Sequence, residues 1–193
     1  MTNPAPRLID VRVGSATNGK APISVVERSL AARPFHWIGL LAVAFVAIVA
    51  DQVTKEIVVS HLALGEEVHV VGPLWIHHVM NSGIAFGLFS AWASLVTVVT
   101  AVAVAWMVGY FARAGSRHPV LPVALGLLIG GSVSNLIDRL RLGHVTDFLD
   151  FRYWPAFNLA DSFICVGVGI LLLTVFAAER DPRPGRRPAP RRA

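Results

Sequence analysis

The sequence predicts a mainly α membrane protein, with four transmembrane helices, a small extracytoplasmic β element and a second extracytoplasmic loop. Three observations carry that expectation. Of the 193 residues, 54% are hydrophobic and only 15% charged, where soluble domains carry about 25% charge. Mean hydropathy is +0.61. Four apolar segments are long enough to cross a bilayer core of ~30 Å, which needs ~20 helical residues. A single cysteine, Cys165, and no glycine period exclude a disulfide-stapled or collagen-like chain.

The first span begins near Trp37, runs without charge to Ala50 and continues past Asp51 to about Ser60. Its uncharged run has the length of a signal-peptide core, but Ile48 is a poor −3 residue for cleavage after Ala50 and three more spans follow. The second span is Leu88 to Ala112, the third Pro119 to Ile137, and the fourth about Ala156 to Ala178 with one charge, Asp161. Backbone groups in lipid must be satisfied within the segment, so each span is expected to be helical.

Lys and Arg set the orientation. Thirteen fall in residues 1–36, the loop between spans two and three, and the tail after Ala178, against four (Lys55, Arg139, Arg141, Arg152) on the other side. Both termini are therefore expected in the cytoplasm. Eight of the twelve carboxylates lie outside or at the outer ends of spans, so the basicity of the chain belongs to its inner face. The expected organisation is a disordered or loosely membrane-associated cytoplasmic tail (1–36), a four-span domain (37–178) and a basic Pro/Arg-rich cytoplasmic tail (179–193). In that last tail, five Arg and four Pro from Pro182 onward suit a solvated anchor near anionic lipid rather than a nucleic-acid site.

Outside, Glu67 to Val71 and Trp75 to Met80 favour strands around a Gly72-Pro73 turn, predicting a small sheet or hairpin. The second outer loop, about Asp138 to Pro155, carries Phe148, Phe151, Tyr153 and Trp154, aromatic residues suited to the headgroup region.

Ionisable groups in or at the ends of spans are costly, and here they gather at one depth. Asn135, Asp138 and Arg139 share a helical face at the end of span three, and Asn158 and Asp161 are placed on one face at the opening of span four. Asp51 and Lys55 stand at i and i+4 towards the outer end of span one. Asn81 precedes span two, and Gly143-His-Val-Thr-Asp147 lies between spans three and four. The plainer readings are helix-end ion pairs for Asp51 with Lys55 and for Asp138 with Arg139, a dipole partner for Asp161, a solvated loop residue for Asp150, and close helix packing for Gly130-Gly131.

Other chemistries find little support. His69, His77, His78 and His144 lack metal-site spacing, His77 and His78 point apart on a strand, and no metal or cofactor is expected. No Gly-x-Ser-x-Gly elbow is present, and Cys165 reads as core. A transporter would also place Asp, Asn and Arg in spans, but usually near the midplane with repeated halves. A scaffold would leave the clustered polar groups without a role. Two aspartates sharing one proton remain as a reactive pair: the ionised one takes a proton from water while the neutral one polarises a carbonyl.

Five blocks, in order, closely resemble the lipoprotein signal peptidase (signal peptidase II) family of membrane aspartyl peptidases: Asp51-Gln-Val-Thr-Lys55, Asn81-Ser-Gly-Ile-Ala-Phe-Gly87, Gly131-Ser-Val-Ser-Asn-Leu-Ile-Asp-Arg139, Gly143-His-Val-Thr-Asp-Phe148 and Phe157-Asn-Leu-Ala-Asp161. Ser134 departs from the pattern, which commonly has Gly there. The resemblance covers about residues 37–178 and implies a catalytic dyad of Asp147 and Asp161. Asn135, Asp138, Arg139 and Asn158 would support it, with Asp51, Lys55 and Asn81 lining or stabilising the site. It further implies a bacterial inner-membrane enzyme, a diacylglyceryl-modified prolipoprotein substrate cut just before the lipidated cysteine, and inhibition by globomycin-type cyclic peptides. Lipid is the other expected partner; no nucleic acid is expected, and the chain is expected to be a monomer.

Overall fold

The computed structural model describes residues 32–82, 93–114 and 118–180. The expectations for the two tails and for the start of the second span lie largely outside these residues. Four helices are long and apolar enough to cross a membrane: α1 (Pro34–His61), α2 (Ala93–Ala114), α3 (Leu121–Leu142) and α4 (Leu159–Arg180). Pro34 sits in the first turn of α1, where its missing N–H costs nothing. Helix α3 runs five residues past the predicted end of its span and stops at Gly143, whose φ of 79° and N–H to the Arg139 carbonyl form a left-handed cap.

The bundle is built around α3, the most buried of the four helices, while α1, α2 and α4 turn apolar faces outward. Ile38, Phe45, Val102, Trp106, Leu173 and Phe176 are all more than half exposed, a covering that suits lipid and not water. At one end of the bundle Leu40, Phe111, Leu121, Leu125, Leu128 and Ile129 form the apolar core. Trp37 meets Phe111 there edge to face, with centroids 4.9 Å apart.

Towards the other end the helices approach backbone to backbone. A Cβ at Gly130 would stand 2.7 Å from the Ala44 carbonyl oxygen of α1. One at Gly131 would run into the Ala160 carbonyl of α4, so the two adjacent glycines seat α3 against two helices at once.

Of the two expected forms, a small sheet or a hairpin, the β element is the sheet. Three antiparallel strands, β1 (Glu67–Val71), β2 (Leu74–Asn81) and β3 (Val145–Asp150), make one sheet in the order β1-β2-β3. β3 comes from the stretch expected to be a loop. Asp147 lies opposite Val79 and Asn81 opposite Val145, so two residues predicted for the site sit side by side across the sheet. Leu149 then exchanges backbone hydrogen bonds with Phe157 at 2.8 and 3.1 Å, which returns the chain to α4.

Gly131→Ala is expected to destabilise by about 1–3 kcal/mol through overpacking. Gly169→Ala, where an added Cβ meets nothing within 4 Å, is the control. Thermal unfolding in detergent checks this; equal midpoints for the two variants would contradict it.

Candidate active site

A buried ammonium organises the polar end of the bundle. Lys55 of α1, 4% exposed, reaches Asp51 Oδ2 at 2.7 Å and Asp138 Oδ2 of α3 at 2.7 Å. Its third donor reaches Asn135 Oδ1 at 2.9 Å. An ammonium has three donors, and all three are used. The pair expected as a helix-end salt bridge is therefore a buried three-way junction.

Both aspartates of that junction are held further. Asp51 Oδ2 also accepts the Ser134 hydroxyl at 2.7 Å, and its Oδ1 accepts the Ala160 N–H at 2.8 Å. An α1 carboxylate thus satisfies a free donor at the N-terminus of α4, where negative charge is favoured. Gln52 donates to Asp138 Oδ1 at 2.8 Å and to the Ser134 hydroxyl at 3.0 Å. Thr146 of β3 brings its N–H to 3.4 Å from Asp138 Oδ2.

Two asparagines carry this order to the predicted dyad. Asn135 Oδ1, fixed by Lys55, also accepts the Asn158 amide at 3.0 Å, while Asn135 Nδ2 donates to Asp161 Oδ1 at 2.7 Å. Asn158 Nδ2 donates to Asp147 Oδ1 at 2.8 Å, and Asn81 donates to Asp147 Oδ2 at 2.8 Å. Asn158 does not share a helical face with Asp161 as the sequence suggests. It precedes α4, its Oδ1 accepts the Asp161 N–H at 2.9 Å, and its own N–H points back to Asp161 Oδ2 at 3.5 Å. That reciprocal arrangement is a capping box, and it ties Asp161 to the residue that holds Asp147. Among the described residues no buried side-chain polar atom lacks a partner.

Asp147 and Asp161 line one cavity of about 630 Å³, with Asn81, Asn135 and Arg139 beside them. Val145, Pro155, Phe157, Cys165 and Val166 make the rest of the wall largely apolar. Cys165, read from sequence as core, is exposed and faces this space. Its position one turn beyond Asp161 puts it on the same side of α4. Arg139 interacts electrostatically with Asp161, Asp147 and Asp138.

Burial pushes the Asp147 carboxyl up to about 7. The nearby Asp161 adds to that rise, while the hydrogen bonds from Asn81 and Asn158 and the charge of Lys55 oppose it. Four carboxyls (Asp51, Asp138, Asp147, Asp161) face two cations (Lys55, Arg139) in this layer, so full ionisation would leave uncompensated negative charge in a poorly solvated place. Holding a proton on one of them relieves that cost.

One other residue stands elsewhere than expected. Asp150 is on β3 rather than in a solvated loop, 3.1 Å from His77 Nδ1, and Glu67 lies nearby, so that the imidazole nitrogen and one carboxylate oxygen from each acid fall within 4.8 Å of one another. Arg152 already neutralises Glu67 at 2.8 Å. His78 points the other way, to the Leu62 carbonyl at 2.9 Å, as alternation along a strand requires. Sequence reasoning passed over Gln52, Thr146 and the hydroxyl of Ser134. An amide inside an apolar span was the available signal for Gln52.

Over residues 43–177 the chain matches the family described as Signal peptidase (SPase) II. It is 43% identical over 145 residues to the lipoprotein signal peptidase of Symbiobacterium thermophilum, covering 72% of this chain and 95% of that protein. It is 45% identical over 134 residues to the lipoprotein signal peptidase of Pelotomaculum thermopropionicum, covering 68% and 88%. A solved structure described as a bacterial membrane enzyme aligns with a TM-score of 0.71 at 28% identity, over 77% of this chain and 93% of that one.

The raised Asp147 value has a consequence for stability. The folded protein keeps a proton that the unfolded chain releases near pH 4, so the associated stability is complete below that pH and is lost as pH rises through about 7. Between about pH 5 and 8 the wild type should lose on the order of 2–3 kcal/mol relative to Asp147→Asn. Unfolding of both proteins across that range measures the difference, and parallel pH dependences would contradict the assignment.

Proposed function

The chain belongs to the signal peptidase II family, and from that premise we propose that this membrane protease hydrolyses diacylglyceryl-modified prolipoproteins at the bond before the lipidated cysteine. The observation that carries the reading is the joint placement of Asp147 and Asp161 on one largely apolar cavity, coupled through Asn158. A signal helix and a diacylglyceryl group both reside in lipid, and a cavity opening among apolar helices admits them without extraction. A volume of about 630 Å³ is within the ordinary range for a ligand site.

In this mechanism Asp161 is the ionised member, favoured by its place in the first turn of α4 and by the Asn135 amide. Asp147 holds the proton. Asp161 takes a proton from water as the water oxygen attacks the scissile carbonyl carbon, and Asp147 gives its proton to the carbonyl oxygen. The tetrahedral diol collapses as Asp161 delivers its proton to the departing cysteine nitrogen and Asp147 recovers the one it gave. Peptide C–N is broken, one carboxyl and one amine are formed, and the dyad returns to its starting state. Asp147, Asp161 and one water supply every proton and atom that this chemistry needs.

The location belongs to the same proposal: the bacterial inner membrane, both termini in the cytoplasm, and the dyad near the outer face. The charge asymmetry of the sequence supports that orientation. A globomycin-type cyclic peptide would compete for the same cavity, and the unit would act as a monomer without nucleic acid.

Incubation of purified protein with a lipidated prolipoprotein peptide tests the reading. Asp147→Asn and Asp161→Asn are each expected to lower kcat/KM by at least about a thousandfold while the protein still inserts and folds. Turnover persisting in either variant would reject the dyad. The wild-type rate should fall as pH rises through about 7, as the shared proton is lost. A flat profile between about pH 6 and 9 would count against proton sharing.

A further inference from the structure

The sheet carries a second polar cluster, none of whose members lines the cavity. Glu67 of β1 lies directly opposite His77 of β2, and His77 reaches Asp150 of β3. Arg152 completes the cluster with three contacts. Its guanidinium is 2.8 Å from Glu67 Oε1 and 3.8 Å above the Trp75 ring, and its backbone N–H donates to Asp150 Oδ1 at 2.7 Å. Burial alone would raise the Asp150 carboxyl, but the Arg152 N–H and His77 hold it below the usual range.

The backbone here is unusual. Arg152 has φ 64°, the one non-glycine residue with positive φ among those described. The Tyr153 N–H closes a three-residue turn on the Phe151 carbonyl at 2.7 Å. Such a turn is rare and strained, and strain of this kind persists only where surrounding contacts over-determine it. The three contacts of Arg152 do so. Two residues later the chain becomes the cavity wall, since Trp154, Pro155, Ala156 and Phe157 all line it.

We propose that Arg152 is a positioning residue for substrate binding: it latches the 151–157 segment to the sheet and so fixes the outer wall of the cavity. The proposal rests on the peptidase reading above. An isolated surface ion pair contributes little; a fork-shaped guanidinium held at once by a carboxylate and an indole face is far better determined. Glu67 holds the guanidinium, Asp150 holds the Arg152 backbone N–H, and His77 in turn holds Asp150. The latch acts on where the substrate lies and leaves the dyad itself alone.

Two measurements on the purified full-length protein test it. In the lipidated-peptide assay, Arg152→Ala and Arg152→Gly are expected to raise KM about five- to twentyfold with kcat within about twofold, and Arg152→Lys to fall between them and wild type. The Gly variant relieves the positive φ, so a KM rise there isolates the lost guanidinium from the backbone strain. Hydrogen–deuterium exchange should quicken at residues 151–157 in the Ala and Gly variants while the helices stay as protected as in wild type. KM within twofold of wild type, a loss confined to kcat, or unchanged exchange in that segment would overturn the latch. If the wild type fails to cleave the peptide, the peptidase reading falls, and the exchange experiment still decides the latch.

Discussion

The ammonium of Lys55 is the interaction on which the polar end of this molecule depends. It is out of water and joined to three acceptors from two helices, at 2.7, 2.7 and 2.9 Å. Removing the cation would leave two carboxylates, Asp51 and Asp138, buried without compensation, a loss of roughly 3–5 kcal/mol. The geometry propagates from there. Asn135 can turn its amide nitrogen to Asp161 because Lys55 and Asn158 occupy its oxygen. Asn158 can hold Asp147 because its own oxygen caps α4. A charge nowhere in direct contact with the dyad thereby sets the orientation of both its members.

The two ends of the bundle divide the work. At one end, side chains such as Leu40, Phe111 and Leu125 interlock without polar atoms. Towards the other, Gly130 and Gly131 bring α1 and α4 close enough to α3 for short side chains to bond across the gap. Ser134 and Asp51 meet at 2.7 Å only because of that approach. The Ser134 hydroxyl is taken up between Asp51 and Gln52, which adds a hydrogen-bonded link between α1 and α3.

The four spans were legible because hydropathy is a local property, and the helical spacing of Asp51 with Lys55 and of Asn135 with Asp138 and Arg139 is local too. What was not legible depended on partners far along the chain. β3 has six residues and pairs with β2 some seventy positions away, so nothing in residues 145–150 alone distinguishes it from a loop. Asn158 looked helical because it precedes an apolar run, yet an asparagine three residues before an aspartate is also a capping box, and that reading prevailed. Cys165 looked like core because its neighbours are apolar; in a membrane helix apolar neighbours say nothing about which face meets a cavity. The cluster of Glu67, His77, Asp150 and Arg152 has no spacing signature at all, since each strand contributes a single side chain and the loop supplies the last.

The claim at the centre is that two carboxyls held by one amide-linked network keep a proton between them near neutral pH. Infrared difference spectroscopy of the membrane-reconstituted protein, with aspartate carboxyls isotope-labelled, reads that proton directly as pH is stepped from about 5 to 9. The account predicts a protonated aspartate signal that disappears near pH 7 and is missing from Asp147→Asn. A spectrum in which every aspartate is already ionised at the lowest pH would contradict it.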